Sequence, residues 1–193
     1  MKTFLTERLL LRPMQVTDAE PITCLLQERR VVETLAVVPW PYQRHHADEW
    51  LVRILGAQED GRFHTFAITL RDGGEFVGVI GIHPEANGFW AEVGYWLGID
   101  HWGRGYMTEA LQEMIRYGFE ELGLRRVESH HFAHNPASGR VMQKAGMNYE
   151  GSQKLRAARF DQLYDRVNYG LTDDEWRAAA IELRTTGENA RTT

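Results

Sequence analysis

The chain of 193 residues has little cysteine and no long apolar run. Its single cysteine, Cys24, excludes a disulfide within the chain, and its place beside Leu25 and Leu26 in a helical pattern predicts a reduced, buried thiol. No run of about 18 apolar residues is present, so the sequence predicts no membrane-spanning helix. The first residues also lack the apolar core of a signal peptide, and a cytoplasmic location is therefore expected.

The chain also lacks an excess of basic residues. Its formal net charge is −5, which argues against direct nucleic-acid binding, because nucleic-acid binders usually carry a basic stripe. An acidic balance is compatible with a cationic substrate such as an amine. Eight histidines are present, but neither His45-His46 nor His130-His131-His134 has companion ligands at metal spacing. No metal site is therefore expected.

Length and composition fit one globular domain. A hydrophobic content of 43% and a charged content of 25% are ordinary for such a protein. A chain of this length also buries a sizeable core. Residues 1–184 are expected to form that domain, whereas the polar segment 185–193 is expected to be a disordered tail.

A junction with two glycines, HWGRGYMTEA at residues 101–110, is the most informative part of the chain. Gly103 and Gly105 allow a sharp turn and a close approach of the backbone to a ligand. The free N–H groups of the helix that follows favour an anion. The junction therefore indicates a phosphate-bearing cofactor, although a tight turn before a helix gives the same pattern. It matches neither the Walker motif nor the dinucleotide fingerprint, whose third glycine would fall at Thr108.

Hydrophobic periodicity predicts the order of the elements. The pattern changes from helical to alternating and back along the chain. The predicted elements are a strand at Leu9–Leu11, a helix capped by Thr17-x-x-Glu20, a helix at about 46–57, an antiparallel three-strand meander at about 63–70, 75–83 and 91–97, the helix after the glycine junction, a strand at 126–132, a helix from Asn135-Pro136 to Gly146, strands at about 147–153 and 163–171, and a short helix capped by Thr172-x-x-Glu175.

This order, together with three sequence signatures, resembles the GNAT-type N-acetyltransferase superfamily. Within it, the chain is most similar to the RimJ/RimL-type branch, which modifies the amino termini of ribosomal proteins. The signatures are TERLLLRP at 6–13 with Asp18-Ala19, WGRGYMTEA at 102–110, and NPAS at 135–138 with KAGM at 144–147. The resemblance spans residues 6 to about 171. It implies an α/β (α+β) fold, with a mixed, mostly antiparallel central sheet of about six or seven strands flanked by about four helices.

The resemblance implies acetyl-CoA as cosubstrate and no metal. In the superfamily, a Gln/Arg-x-x-Gly-x-Gly/Ala segment holds the pyrophosphate with backbone N–H groups. Here Gly105 matches, whereas Trp102 replaces the polar first position and Met107 replaces a small residue. The strand before the junction is expected to splay from its neighbour and to bind the pantetheine arm along its edge. The expected cofactor-binding residues are Tyr95, Trp96, Leu97, Trp102, Gly103, Arg104, Gly105, Tyr106, Met107, Thr108, Asn135 and Ser138.

Acetyl transfer to an amine needs a polarised carbonyl, a leaving thiolate and a deprotonated amine. A backbone N–H near Leu97 is expected to polarise the carbonyl. The resemblance places the Ser138 hydroxyl near the cofactor sulfur, where a hydrogen bond is its expected role, although a serine there can instead satisfy local backbone groups. Asn135 is expected to cap its helix.

The sequence shows no unmistakable base. Glu92 is the first candidate, acting through water, and a solvated strand end is the competing interpretation. Glu33 is the second candidate. His83 and His131 also have suitable chemistry, since histidine exchanges protons near neutral pH.

The leading hypothesis is attack by the N-terminal amine of a protein or peptide in a ternary complex. An α-amine has a pKa of ~7.7–8.0, against ~10.4 for a lysine amine, so it needs only modest base assistance. The alternatives are acetylation of a small amine and a non-catalytic acyl-CoA-binding module. Residues 30–46 and the last two strands, which are expected to build the acceptor channel, carry the weakest signatures. A homodimer through the last strands is expected by analogy with the family.

Overall fold

The computed structural model describes residues 2–59 and 63–189. One mixed sheet of eight strands runs through this part of the chain, in the order β1-β2-β3-β4-β5-β6-β8-β7. Neighbouring strands are antiparallel, except β5 and β6, which are parallel. The mixed, mostly antiparallel sheet expected from the sequence is therefore confirmed.

The strands are β1 Phe4–Leu5, β2 Leu9–Pro13, β3 His64–Leu70, β4 Phe76–Pro84, β5 Trp90–Leu97, β6 Arg126–Phe132, β7 Asn148–Arg159 and β8 Gln162–Thr172. The α-helices are α1 Ala19–Leu25, α2 Arg29–Val32, α3 Arg44–Glu59, α4 Tyr106–Glu120, α5 Pro136–Lys144 and α6 Asp173–Asn189. Short 3-10 turns lie at Val16–Asp18 and Ile99–His101. The described residues thus hold more elements than expected, because β1 and α2, with two and four residues, are too short to show periodicity.

The sheet separates two hydrophobic clusters. On one face, the predicted apolar stripe of α4 is buried, with Leu111 and Met114 fully enclosed. On the other face, Ile22 of α1 and Leu51 of α3 pack together in a second cluster. Because strand residues alternate between faces, β5 contributes to both clusters at once.

The capping box predicted at Thr17 and Glu20 is wrong. The carboxylate that closes this turn belongs to Asp18, whose Oδ2 accepts from the Gln15 backbone N–H at 2.8 Å and from Arg12 Nη1 at 2.9 Å. Asp18 is only 2% exposed, and a buried carboxylate requires such partners. The guanidinium of Arg12, six positions before Asp18, selects Asp18 as the carboxylate that caps this turn. A local pattern of cap residues does not reveal such a partner.

The predicted burial of Cys24 is also wrong, because Cys24 lies on the exposed face of α1. Ile22 and Leu26 face the core instead. Residues four apart share one helix face, and a residue midway between them points away from it.

Helix α6 begins with the predicted capping box. Glu175 Oε2 accepts from the Thr172 backbone N–H at 2.9 Å, and the Glu175 N–H donates to Thr172 Oγ1 at 3.3 Å. The helix extends to Asn189, so residues 185–189, expected in a disordered tail, are helical, since polar composition alone does not prevent a helix. Residues 190–193 lie outside the described part, and the domain boundary at 184 stays a prediction.

Strand β7 forms one edge of the sheet. Tyr149 and Leu155 of β7 and Leu163 of β8 are exposed large hydrophobic side chains. The homodimer expected through these last strands stays a prediction.

None of the described helices is both long and apolar enough to cross a bilayer. Nor do the described residues bring three or more His, Cys, Asp or Glu side chains into a group that could hold a metal ion. The clustered histidines have other neighbours: His131 stacks on Tyr169, and His134 stacks on Phe132.

Candidate active site

A cavity of about 650 Å³ opens where the carboxyl end of β5 meets the glycine junction and the start of α5. This volume lies in the range of small-molecule and cofactor sites. The cavity is lined by every predicted cofactor-binding residue except Arg104, and also by Glu92. The structure therefore brings together three stretches that lie far apart in the sequence.

Strands β5 and β6 pair only at their beginnings. The parallel register joins Trp90 to Arg126 and ends where Glu92 meets Glu128. Strand β4 continues along the other edge of β5 as far as Leu97. Within the described chain, β5 therefore presents one open edge to the cavity, and the expected splay is present.

The open edge presents backbone groups at alternate residues. The Gly98 N–H donates to the Val77 carbonyl at 2.9 Å. In an antiparallel ladder, the residues one position away from such a bonded pair turn their N–H and C=O groups outward. The N–H of Leu97 and both backbone groups of Tyr95 therefore point away from β4, toward the cavity.

Two side chains bond to backbone carbonyls on this edge. Ser129 Oγ donates to the Val93 carbonyl at 2.8 Å. Trp102 Nε1 donates to the Leu97 carbonyl at 2.9 Å. The indole that replaces the polar residue of the family pattern thus uses its N–H to hold the end of β5, so that N–H is not free for a phosphate.

The glycine junction has the backbone that the sequence predicts. Gly103 and Gly105 have φ of +72° and +82°, in the left-handed region that favours glycine. A Cβ at position 105 would also lie 3.2 Å from Arg8 Nη2. Gly105 immediately precedes α4, so the first N–H groups of this long helix are reached without a side chain at that position.

The TERLLLRP segment shapes this junction, a role that the sequence did not reveal. Arg8 Nη1 donates to the Arg104 carbonyl at 2.8 Å, and Thr6 Oγ1 donates to Glu109 Oε1 at 2.6 Å. Although burial acts to raise the pKa of Glu109, hydrogen bonds from Thr6 and Arg8 hold it below its ordinary value. Arg104 does not line the cavity, but the hydrogen bond from Arg8 holds its backbone carbonyl in place.

Ser138 of α5 and Tyr95 of β5 meet at the cavity wall. Their hydroxyl oxygens lie 2.9 Å apart. Burial raises the pKa of Tyr95, so its phenol stays neutral. Asn135 occupies the N-cap position of α5, but its side chain makes no capping hydrogen bond, so the expected capping role is wrong.

Glu92 faces His130, a residue that the sequence analysis did not select. Glu92 Oε1 and His130 Nδ1 lie 3.2 Å apart, and both residues line the cavity. The adjacent ring nitrogen holds the pKa of Glu92 below its ordinary value, although burial opposes this shift. Because the parallel register places Glu92 opposite Glu128, His130 follows on the same sheet face two residues later.

Two other base candidates lie outside the cavity lining. Glu33 Oε1 accepts from Arg29 Nε at 2.8 Å on the exposed side of α2. His83 pairs in register with Glu92, and burial lowers the pKa of its imidazole. Neither side chain is in the wall that a ligand would contact.

His131 lines the cavity, but its ring is engaged elsewhere. Its Nδ1 lies 2.7 Å from the Phe132 carbonyl oxygen, and a Cβ added at Gly139 would lie 2.6 Å from its Nε2. Burial lowers the pKa of its imidazole. The ring is therefore packed against α5.

Residues 31 and 34–37 form a further wall of the cavity. The β7–β8 hairpin is fastened to this segment, because Arg159 Nη2 donates to the Val32 carbonyl at 2.9 Å. His134 Nε2 lies 3.3 Å from the Glu33 carbonyl oxygen. Of the two regions expected to build an acceptor channel, residues 31 and 34–37 line the cavity. Strands β7 and β8 contribute no residue to the described lining, and Arg159 only fastens their hairpin to the same segment.

The chain is similar to known acetyltransferases. A profile of the acetyltransferase (GNAT) domain matches residues 8–148. The uncharacterized N-acetyltransferase p20 of Bacillus licheniformis is 31% identical over 178 residues, which cover 91% of this chain and 99% of that protein. The ribosomal-protein-serine acetyltransferase of Escherichia coli (strain K12) is 36% identical over 95 residues, which cover 49% and 52% of the two chains.

A solved structure shares the fold. RimL, a ribosomal L7/L12 alpha-N-protein acetyltransferase in complex with coenzyme A, superposes with a TM-score of 0.81. The match covers 90% of this chain and 99% of that one, at 20% identity. A likeness at this identity concerns the fold.

Proposed function

Because the chain belongs to the GNAT acetyltransferase family and is an acetyl-CoA-dependent N-acetyltransferase, we propose that it acetylates the N-terminal α-amine of a peptide or protein. The observation that supports this proposal most directly is the distribution of charged side chains in the cavity wall. Among the described lining residues, Glu92 is the one carboxylate, and the wall at 31 and 34–37 is apolar apart from Thr34. This arrangement suits a single cationic amine followed by a neutral, extended chain. A polyamine would instead favour several carboxylates.

The names of two similar proteins support this proposal. The Escherichia coli relative is a ribosomal-protein-serine acetyltransferase, and RimL is an alpha-N-protein acetyltransferase. Both names therefore identify a protein as the acetyl acceptor.

The residues of this chain fit acetyl-CoA as acyl donor. Acetyl-CoA supplies a thioester carbonyl and a thiolate that leaves. The first N–H groups of α4 would hold its pyrophosphate, because Gly105 leaves them unobstructed. The outward backbone groups of Tyr95 and Leu97 would bind the pantetheine arm like a neighbouring strand. Arg140 and Lys144 line the same cavity, and their positive charge would favour the phosphates.

Three groups then act on the reacting atoms. The outward N–H of Leu97 donates to the carbonyl oxygen and stabilises the negative charge that develops there. Ser138, steadied by Tyr95, donates a hydrogen bond to the sulfur. Glu92 provides the negative charge that attracts the ammonium form of the acceptor.

The acceptor class is tested with a panel of substrates. Peptides with free amino termini, a lysine side-chain analogue, amino acids and a polyamine are each mixed with acetyl-CoA, and thiol release is followed. Peptides with a free α-amine are expected to give the highest kcat/KM, and prior acetylation of that terminus should abolish turnover. Turnover confined to small amines would overturn the proposal. Tight binding of acetyl-CoA without turnover on any amine would favour the non-catalytic alternative.

A further inference from the structure

His130 and Glu92 form a histidine–carboxylate pair in the cavity wall. Their closest atoms, His130 Nδ1 and Glu92 Oε1, lie 3.2 Å apart, although the contact does not have the geometry of a hydrogen bond. Contacts of this kind are often loose in the absence of substrate and tighten when it binds. With Nδ1 beside the carboxylate, Nε2 is the ring nitrogen left for another partner.

The two members of the pair differ in how well they accept a proton. The lowered pKa of Glu92 makes its carboxylate a weak proton acceptor at neutral pH. Imidazoles in general accept protons near neutral pH, and a carboxylate on one ring nitrogen orients the ring and stabilises the imidazolium. The carboxylate is thus better suited to hold the histidine than to act as the base itself.

Other charged and titratable groups lie on the elements that pack around the pair of His130 and Glu92. His83 on β4 lies in register with Glu92, and Arg166 on β8 lowers the pKa of the same carboxyl. On β6 itself, Glu128 shares the face of His130, and His131 points to the other face. His134, which follows β6, packs on Phe132 and Tyr164.

We propose that His130 is the general base of acetyl transfer and that Glu92 is its positioning residue. His130 Nε2 accepts the proton that the amine nitrogen loses as the N–C bond forms. The C–S bond breaks, sulfur keeps the electron pair, and the thiolate takes a proton from solvent. His130 then returns its own proton to solvent. The inference rests on the proposed function, since it concerns the same cavity and the same amine.

Removal of the imidazole tests the proposal. In His130→Ala, kcat with an N-terminal peptide is expected to fall by about 100-fold, whereas the Kd of acetyl-CoA and the melting temperature stay close to the wild-type values. Added imidazole should restore turnover of His130→Ala with saturation. His45→Ala, which removes an exposed histidine on α3, is the matched control and should show neither the loss nor the rescue.

The pH dependence of kcat separates the two roles. The wild-type kcat is expected to fall at acid pH, and His130→Gln should lack this limb. Glu92→Gln should keep the limb and lower kcat, because the ring loses the carboxylate that positions it. A Glu92→Gln variant without the acid limb would instead identify Glu92 as the base and overturn the proposal.

The outcomes distinguish this inference from the proposed function. Wild-type protein that does not acetylate N-terminal peptides contradicts the proposed function. Wild-type turnover that persists at an unchanged rate in His130→Ala contradicts the role of His130 alone. If His130→Ala loses acetyl-CoA affinity together with activity, the histidine is structural, and the proposal is wrong.

Discussion

The guanidinium of Arg8 donates from Nε to Oε2 of Glu109 at 2.8 Å, across 101 residues of sequence. The backbone N–H of Arg8 donates to the other carboxylate oxygen, Oε1, also at 2.8 Å. The same guanidinium lies 4.9 Å from the centre of the Tyr106 ring. Arg8, which immediately precedes β2, therefore contacts both the first turn of α4 and the loop before it.

Glu109→Gln is expected to weaken acetyl-CoA binding while changing kcat little. The amide keeps part of the hydrogen bonding but loses the charge that holds Arg8 against the loop. A titration of acetyl-CoA by calorimetry, together with the KM for acetyl-CoA, measures the effect. Glu113→Gln on the same helix, which removes an ion pair to Arg116, is the control. Equal affinity in wild type and Glu109→Gln would separate the anchor from cofactor binding.

The same variant carries a prediction about pH. Because the pKa of Glu109 is lowered in the folded protein, its contribution to stability is present above the ordinary carboxyl pKa of ~4.3 and is lost as the pH falls through the lowered value. The difference in free energy of unfolding between wild type and Glu109→Gln should therefore shrink as the solution is acidified below about pH 4. Urea titrations across that range check it, and a constant difference would contradict it.

Gly105→Ala is expected to lose both stability and acetyl-CoA affinity. A left-handed backbone costs a residue with a Cβ about 1–2 kcal/mol, and here the added atom would also press on Arg8. Gly73→Ala provides the matched control, since Gly73 has φ +85° in the β3–β4 turn and open space around it. It should lower the melting temperature and leave the Kd of acetyl-CoA unchanged. A normal Kd in Gly105→Ala would remove the junction from the site.

Trp102→Phe is expected to raise the Kd of acetyl-CoA about fivefold. The substitution removes the N–H that holds the Leu97 carbonyl, and such a bond contributes about 1 kcal/mol. The aromatic bulk is kept, so the fold should be unaffected. Trp50→Phe, on α3 and on the other sheet face, is the control. If the two variants bind equally well, the indole does not position the edge of β5.

Ser138→Ala is expected to lower kcat about tenfold, with a smaller change in the KM for acetyl-CoA. Tyr95→Phe, which leaves the Ser138 hydroxyl without its partner, should lower kcat less. The double variant should be close to Ser138→Ala, because the hydroxyls act as a pair. Full activity in Ser138→Ala would reduce this residue to a structural one.

Strong periodicity made much of the fold predictable. The three-strand meander, the apolar stripe of α4 and the Thr172–Glu175 cap are all where the sequence places them. The errors concern positions that depend on distant partners. Thr17 and Glu20 fit a capping pattern, but Arg12 stabilises Asp18 instead. Cys24 lies in an apolar run, yet its angular position on α1 exposes it.

The site was predictable where backbone geometry carries it and unpredictable where two side chains meet. Gly103 and Gly105 mark the junction because no other residue adopts their conformation easily. The contact between Glu92 and His130 depends on the register of a parallel pair that ends after three residues. No local spacing encodes that register, so only the folded chain brings the two side chains together.

The long sequence separation of Arg8 and Glu109 also sets a temporal order during synthesis. The loop between Trp102 and Tyr106 lacks its anchor until the ribosome has added Glu109, because the partners Thr6 and Arg8 precede that residue by 103 and 101 positions. One edge of β6 also stays unpaired until β8 has been synthesised, because β8, and not β7, is its antiparallel neighbour. A nascent chain that stops after α5 therefore contains every residue that anchors the glycine junction, but it still lacks the hairpin that fastens the wall at residues 31 and 34–37.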